Sequence, residues 1–199
     1  ELIYIKEILN RYSDIILNIR VGGTDFSSKF GLRRSLDSSI YNIRVVSDCL
    51  IDIINMFLRE GENYVISAPV WEYFSEDMNS KEVQGLIREI KNDKENGFCG
   101  KTIIHPSQKK YVNALYTVTY EEYIDAKNII SSCNDGGVFK GYGGNKMNEV
   151  KPHFNWATRI INRAEVFGVL KENVSFEELY KDEDEYSMNN IIEINSNSR

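Results

Sequence analysis

The sequence has 199 residues, of which 42% are hydrophobic and 27% are charged, and its formal net charge is −6. This composition is sufficient for a domain with an apolar core, and it excludes a disordered chain, a collagen-like chain and a strongly basic nucleic-acid binder. No apolar run approaches the ~18 residues of a membrane span. The N-terminus has neither a signal-peptide pattern nor an initiator methionine, so we expect a fragment of a longer protein or the product of a truncated gene.

Strand and helix patterns alternate along the first part of the chain. Three β-branched runs predict buried strands, over residues 15–21, 64–70 and 101–105. Apolar residues at helical spacing predict helices over residues 2–12, 40–57, 80–94, 109–116 and 120–132. The candidate caps are Ser38 or Ser39, Ser107, and Thr119 with Glu122 in a capping box. This alternation favours parallel β/α units.

The chain changes character after residue 133. A glycine-rich loop over residues 134–148 precedes a helix predicted over residues 152–166, and the end of the chain is acidic and then rich in Asn and Ser. We therefore divide the chain into β/α units (1–133), a glycine-rich arm with a helical extension (134–188) and a disordered tail (189–199).

The cysteines argue against a metal or disulfide scaffold. Cys49, Cys99 and Cys133 are far apart and form no CxxC pair. Neither a zinc knuckle nor a disulfide framework is expected from such spacing. We interpret each cysteine as a small hydrophobe in a reducing, cytoplasmic protein.

The strongest local pattern lies at the end of the first predicted strand. Residues 20–26 place Asp25 directly after a strand and the two glycines Gly22 and Gly23. In parallel α/β folds the chemistry gathers where strands end in loops, and glycine lets a ligand approach the backbone closely. Asp25 is therefore a candidate ligand for a hard cation such as Mg²⁺. The spacing equally allows Asp25 to cap the turn that follows.

Two further groups are candidates for binding or catalysis. Arg33 and Arg34 are adjacent in a predicted loop, where they suit a carboxylate or phosphate clamp, a solvated loop or a pair of salt bridges. His105 ends the third predicted strand, where it suits a base, a ligand donor or a satisfied structural group. Neither GxGxxG nor GxxxxGK[ST] occurs, so the glycines form no phosphate fingerprint.

Taken together, these segments resemble the C-terminal part of the citrate lyase beta subunit and HpcH/HpaI aldolase superfamily, and most closely its branch of C–C bond lyases of the TIM-barrel fold. The motifs that carry the resemblance lie at residues 21–26, 30–34, 97–108 and 145–153, with residues 67–73 as a further mark. The resemblance implies an α/β fold that is the C-terminal part of a (β/α)₈ TIM barrel, with about three β/α units and a C-terminal helical extension.

The resemblance also implies a reaction and a metal. Its members cleave or form a C–C bond next to a carbonyl with Mg²⁺ or a similar divalent cation, so we expect a ketoacid, hydroxyacid or acyl-CoA-like substrate. Asp25 matches the metal-binding aspartate, whereas the metal-binding glutamate and a substrate-binding arginine of an early strand would lie before residue 1. Glu149 matches a carboxylate that reaches over a neighbouring subunit's site and is the expected catalytic acid or base.

The remaining expectations concern substrate contacts and partners. Gly22, Gly23, Arg33 and Arg34 are the expected substrate-binding residues, and one of the arginines would bind the outer acid group of the substrate. A small-molecule substrate and a homo-oligomer are expected, without nucleic acid or membrane. Two alternatives remain: a non-catalytic binding or assembly module derived from the barrel, and a nucleotide- or CoA-binding α/β protein. Lys101 has no assigned role.

Overall fold

The computed structural model describes residues 1–59, 61, 64–133, 137–181 and 187–194. The chain divides into two compact units, Glu1–Val112 and Asn113–Arg199. The division falls before the helix predicted over residues 120–132, whereas the sequence places the end of the β/α region at residue 133. The reason is that this helix packs against a later one, as described below.

The first unit alternates helices with short strands. In chain order its elements are α1 (Leu2–Arg11), β1 (Ile19–Arg20), α2 (Gly23–Lys29), α3 (Arg44–Phe57), β2 (Ile66–Ala68), α4 (Lys81–Glu95) and β3 (Gly100–Lys101), and α5 (Lys109–Tyr116) follows at the unit boundary. The strands form one parallel sheet in the order β1-β2-β3. The expected α/β class with parallel strands is confirmed, and the number of barrel units stays a prediction.

The first strand is shorter than the sequence predicts. Of the predicted residues 15–21, only Ile19–Arg20 form β1, while Ile15 and Leu17 are 75% and 88% exposed. Within the described residues β1 pairs on one side only, with β2. Residues before Ile19 therefore lack the second neighbour that would extend and bury the strand.

One face of the sheet packs on helix α3. The apolar residues of α3 recur at helical spacing, and Val46, Leu50, Ile53 and Phe57 are buried in one core with Val21, which follows β1, and with Ile66 and Ala68 of β2. Burial of each large side chain contributes roughly 1.5–3 kcal/mol. This core holds β1 and β2 in register, and thereby fixes where the loops after both strands begin.

Local capping signals were predicted with mixed success. The Thr119 and Glu122 capping box is present, and Ser39 caps a short 3₁₀ helix (Ile40–Asn42) that precedes α3. Ser107 does not cap α5, because the His105 side chain accepts from Ser107 N and caps the 3₁₀ helix Pro106–Gln108 instead.

The second unit is built on two packed helices. Its elements are α6 (Tyr120–Ser131), β4 (Val138–Lys140), β5 (Met147–Glu149), α7 (Val150–Phe167), β6 (Val169–Leu170) and β7 (Ile191–Ile192). The core between α6 and α7 includes Ala126, Ile129, Ala157 and Ile160. Small residues on both helices allow the close approach. No helix in the described part of the chain is long and apolar enough to cross a membrane.

The glycine-rich arm is a β-hairpin in its described part. β4 and β5 pair antiparallel, and the loop between them is held on α6. Tyr142 N donates to Oδ1 of the buried Asp125 across 2.7 Å, and Lys146 Nζ lies 2.9 Å from Asp125 Oδ2. The described part of the glycine-rich arm is therefore a hairpin anchored on α6, because Asp125 needs partners once it is buried. Residues 134–136 of the predicted loop lie outside the described residues.

The expected disorder from residue 189 is also corrected in part. β7 pairs antiparallel with β6, and Ile191 is buried against Gly168, where any Cβ would meet Ile191. A strand was not predicted here because the few apolar residues lie in a tail of polar composition. Residues 182–186 of the predicted extension and 195–199 of the predicted tail lie outside the described residues.

Gly85, in the middle of α4, is expected to tolerate no side chain. A Cβ there would lie 2.9 Å from Cη2 and 3.2 Å from Cε2 of Trp71. Trp71 is fully buried and its Nε1 donates to Glu82 O across 2.9 Å, so the indole has no room to withdraw. We expect Gly85→Ala to destabilise the fold by roughly 1–3 kcal/mol despite the higher helix propensity of alanine.

The measurement is urea unfolding of Gly85→Ala beside Lys91→Ala, a change at an exposed position of the same helix. The Lys91 variant should unfold close to the parent. A Gly85→Ala protein more stable than the parent would show that propensity outweighs the contact with Trp71.

Candidate functional site

The loops that leave β1, β2 and β3 meet at the C-terminal edge of the parallel sheet. Thr24, after β1, donates its hydroxyl to Glu72 Oε1, after β2, across 3.3 Å. Arg20, the last residue of β1, donates Nε to Thr102 Oγ1, just after β3, across 3.4 Å. Ligand sites of parallel α/β folds lie at this edge, so these loops form the candidate site.

Asp25 is an exposed carboxylate at this edge. It lies in the first turn of α2, and it makes no hydrogen bond or ion pair with the described residues. Gly22 is the N-cap of α2, and no side chain caps the helix by a hydrogen bond. Asp25 still suits the positive end of the helix dipole. Its carboxylate oxygens therefore remain free for an external ligand.

The two glycines before Asp25 have different structural roles. A Cβ on Gly22 would contact the Asp25 carboxylate and lie 3.3 Å from its Cγ, so glycine leaves space for that side chain. A Cβ on Gly23 would lie 2.6 Å from Ile40 Cδ1 and 2.7 Å from Pro69 Cβ. Packing alone therefore accounts for Gly23, and substrate contact by either glycine stays a prediction.

Arg34 is buried, with 1% of its side chain exposed. Nη1 pairs with Glu89 Oε1, Nε donates to Glu72 Oε2 across 3.0 Å, and Nη2 donates to Val70 O across 2.7 Å. The guanidinium carbon also lies 4.7 Å from the centre of the Trp71 ring. These contacts match the salt-bridge alternative, because the donors that a substrate would need are used by the protein. Arg34 positions Glu72.

Glu72 is a carboxylate of the site to which the sequence analysis gave no role. One of its oxygens is held by Arg34 and the other accepts from Thr24, while 27% of its side chain stays exposed. The one sequence feature that could have indicated Glu72 as a site residue is its position four residues after a buried strand. Arg33, by contrast, is exposed and makes no hydrogen bond or ion pair with the described residues.

A second buried ion pair lies between β3 and α4. Lys101 Nζ lies 2.7 Å from Asp93 Oδ2 and donates to Pro69 O across 2.7 Å, and Tyr41 donates its hydroxyl to Asp93 Oδ1 across 2.7 Å. Burial raises the pKa of Asp93, the Lys101 ammonium and the Tyr41 hydroxyl oppose this, and Glu89 adds to it. Lys101 therefore faces the helices and ties β3 to α4.

His105 is held by its neighbours. Its Nδ1 accepts from Ser107 N across 3.3 Å and lies 2.9 Å from Ser107 Oγ. The ring stacks on Phe74 with 4.1 Å between centroids and 10° between planes. These contacts favour the structural alternative for His105.

Glu149 belongs to the second unit, where it ends β5 and is the N-cap residue of α7. Its side chain is exposed and makes no capping hydrogen bond, while its backbone N donates to His153 Nδ1 across 2.9 Å. The carboxylate makes no hydrogen bond or ion pair with the described residues, and its catalytic role stays a prediction.

A magnesium site at this edge would need to use a single carboxylate of the described residues as its protein ligand. No group of three His, Cys, Asp or Glu side chains in the described residues is arranged to hold a metal ion. Mg²⁺ is often bound by one or two protein carboxylates, with water and substrate oxygens completing the octahedron. Asp25 suits this form, because its carboxylate is exposed and unpaired among the described residues.

A parallel sheet with a free carboxylate at its C-terminal edge is typical of α/β enzymes. The chain matches the family described as C–C bond lyase of the TIM-barrel fold over residues 1–169, which is more than half of its length, and it belongs to this family. No curated protein matches it. The expected lyase class and TIM-barrel fold family are confirmed at this level.

Proposed function

We propose that the protein is a Mg²⁺-dependent lyase of the citrate lyase beta subunit and HpcH/HpaI branch, acting next to the carbonyl of a ketoacid, hydroxyacid or acyl-CoA-like substrate. The observation that carries this proposal is the exposed Asp25 carboxylate at the C-terminal edge of the sheet in a chain that belongs to the C–C bond lyases. A divalent cation bound there would polarise the substrate carbonyl and stabilise an enolate.

The other residues have roles that follow from their surroundings. Gly22 leaves space beside Asp25, and the exposed Arg33 is available for an acid group of the substrate. Arg34 and Thr24 hold Glu72 in one orientation, in the loop cluster that also carries Asp25. This support keeps the edge arranged before a substrate arrives, which lowers the cost of ordering it.

Glu149 is the proposed proton-transfer group. Its exposed carboxylate, at the end of an anchored hairpin, suits action on the site of a neighbouring subunit. This requires a homo-oligomer, which is part of the proposal. Positioned acids and bases of this kind contribute typically 10²–10⁴-fold to rate.

Replacing Asp25 with asparagine tests the proposal. The amide keeps the shape but loses the charge, so we expect calorimetric Mg²⁺ binding to weaken strongly, and turnover of a ketoacid panel to fall by roughly 100-fold or more. Metal-free thermal stability should change little, because Asp25 makes no hydrogen bond or ion pair with the described residues. The matched control is Asp48→Asn, an exposed aspartate on α3.

Two results would decide against the proposal. Unchanged Mg²⁺ binding in Asp25→Asn removes Asp25 as a ligand and favours the non-catalytic module, which agrees with the lack of a three-donor metal cluster in the described residues. Nucleotide or CoA binding that needs no metal and survives Asp25→Asn favours the nucleotide-binding alternative.

A further inference from the structure

The two faces of the parallel sheet differ in chemistry. Side chains alternate along a strand, and the register pairs Arg20 with Ser67 and Ser67 with Gly100. Arg20, Ser67 and, two residues after Gly100, Thr102 therefore share one face, and Asn18 precedes Arg20 by two on the same face. The opposite face carries the apolar core residues. Parallel sheets are usually apolar on both faces, so a polar face requires an explanation.

The polar face is ordered by two hydrogen bonds between strands. Asn18 Nδ2 donates to Ser67 Oγ across 2.7 Å, and Arg20 Nε donates to Thr102 Oγ1 across 3.4 Å. The second bond directs the Arg20 side chain across the sheet towards the third strand. Its terminal nitrogens, Nη1 and Nη2, make no hydrogen bond or ion pair with the described residues, and the residue is exposed.

We infer that Arg20 binds a carboxylate group of the substrate on this polar face, an inference that rests on the proposed function. Two parallel N–H donors of one guanidinium match the two oxygens of a carboxylate. Among the residues that the described strands place on this face, Arg20 supplies the one positive charge. A carboxylate needs no second cation, whereas a phosphate dianion would be left partly unneutralised in a chain of net charge −6.

The position of Arg20 on a strand strengthens the inference. It ends β1 and precedes Asp25 by five residues, so one short segment carries both a guanidinium and the free carboxylate. Sites built on strands hold their geometry better than sites on loops. Arg34 is fully engaged with Glu72 and Glu89, so it does not compete for the same anion.

The test is a ¹H–¹⁵N NMR titration of the full chain with malonate, an unreactive dicarboxylate, in buffer containing a chelator. The Arg20 Nε–H signal is assigned by its loss in Arg20→Lys. We expect malonate to shift this signal saturably, and Arg20→Met to weaken binding roughly tenfold or more, as expected for loss of charged hydrogen bonds. Arg20→Lys keeps the positive charge but lacks the two parallel N–H donors of the guanidinium, so it should bind malonate with intermediate affinity. Arg44→Met, a change on α3, should bind as the parent does.

The outcomes separate this inference from the proposed function. Arg20-dependent malonate binding that persists in Asp25→Asn supports the inference, even if no Mg²⁺-dependent turnover is found and the proposed function fails. No saturable shift, or equal malonate binding by Arg20→Met, overturns it. A parallel titration with inorganic phosphate overturns the carboxylate assignment if phosphate binds at Arg20 as tightly as malonate.

Discussion

Replacing Arg34 with methionine is expected to lower the free energy of unfolding by about 3–5 kcal/mol, because it leaves a buried carboxylate without its cation. Glu89 is 0% exposed, and its Oε1 is held by Arg34 Nη1 and by Ile40 N across 3.0 Å. Methionine fills part of the volume but supplies no donor. The loss would also free Glu72 from its fixed orientation.

Urea unfolding at neutral pH measures this effect, with Arg33→Met as the matched control. Arg33 is exposed, so its replacement should change stability by only a few tenths of a kcal/mol. The double change Arg34→Met with Glu89→Met should recover most of the loss, because buried ion pairs are often replaceable by apolar residues. Equal losses in Arg34→Met and Arg33→Met would contradict the buried network.

Lys101→Met is expected to destabilise the protein by a comparable amount, about 3–5 kcal/mol, and to make its stability depend on pH in a defined direction. Burial already raises the pKa of Asp93, and the ammonium of Lys101 opposes that rise. Without the ammonium the pKa of folded Asp93 rises further above the usual 3.8. The folded variant then binds a proton at a pH where the unfolded chain does not.

The sign of the effect follows from proton linkage. Between the pKa of Asp93 in the folded variant and its lower, but also raised, pKa in the folded parent, only the folded variant holds the proton, so lowering the pH through this window stabilises the variant relative to the parent. Unfolding free energies of variant and parent measured from pH 7 to pH 4.5 would show their difference shrinking. The control, Lys101→Met with Asp93→Asn, should lose this trend. A difference that is constant with pH would refute the assignment.

Features set by neighbouring residues were predictable, and features set by distant ones were not. The Thr119 and Glu122 box depends on four consecutive residues, and the structure contains it. The role of Arg34 was not predictable, because its partner Glu89 lies 55 residues away on α4 and sequence spacing does not indicate that pairing. The strand Ile191–Ile192 was missed because its partner, β6, lies before a polar stretch.

In the candidate site, too, features set by neighbouring residues were predictable and features set by distant residues were not. Position after a strand was enough to select Asp25, and the structure leaves its carboxylate exposed. Glu72 also follows a strand, but its part in the site depends on contacts from Thr24 and Arg34 that only the fold brings together.

The placement of Glu89 and Asp93 one turn apart on α4 has a consequence for motion at the sheet edge. Through Arg34 and Lys101, this single helix holds both the loop after α2 and the third strand. Opening either one would expose a buried charge on α4, so these segments form one cooperative unit rather than independent flaps. The edge that carries the candidate site is thus a rigid rim, and its exposed Asp25 is open to a ligand without movement of these two segments.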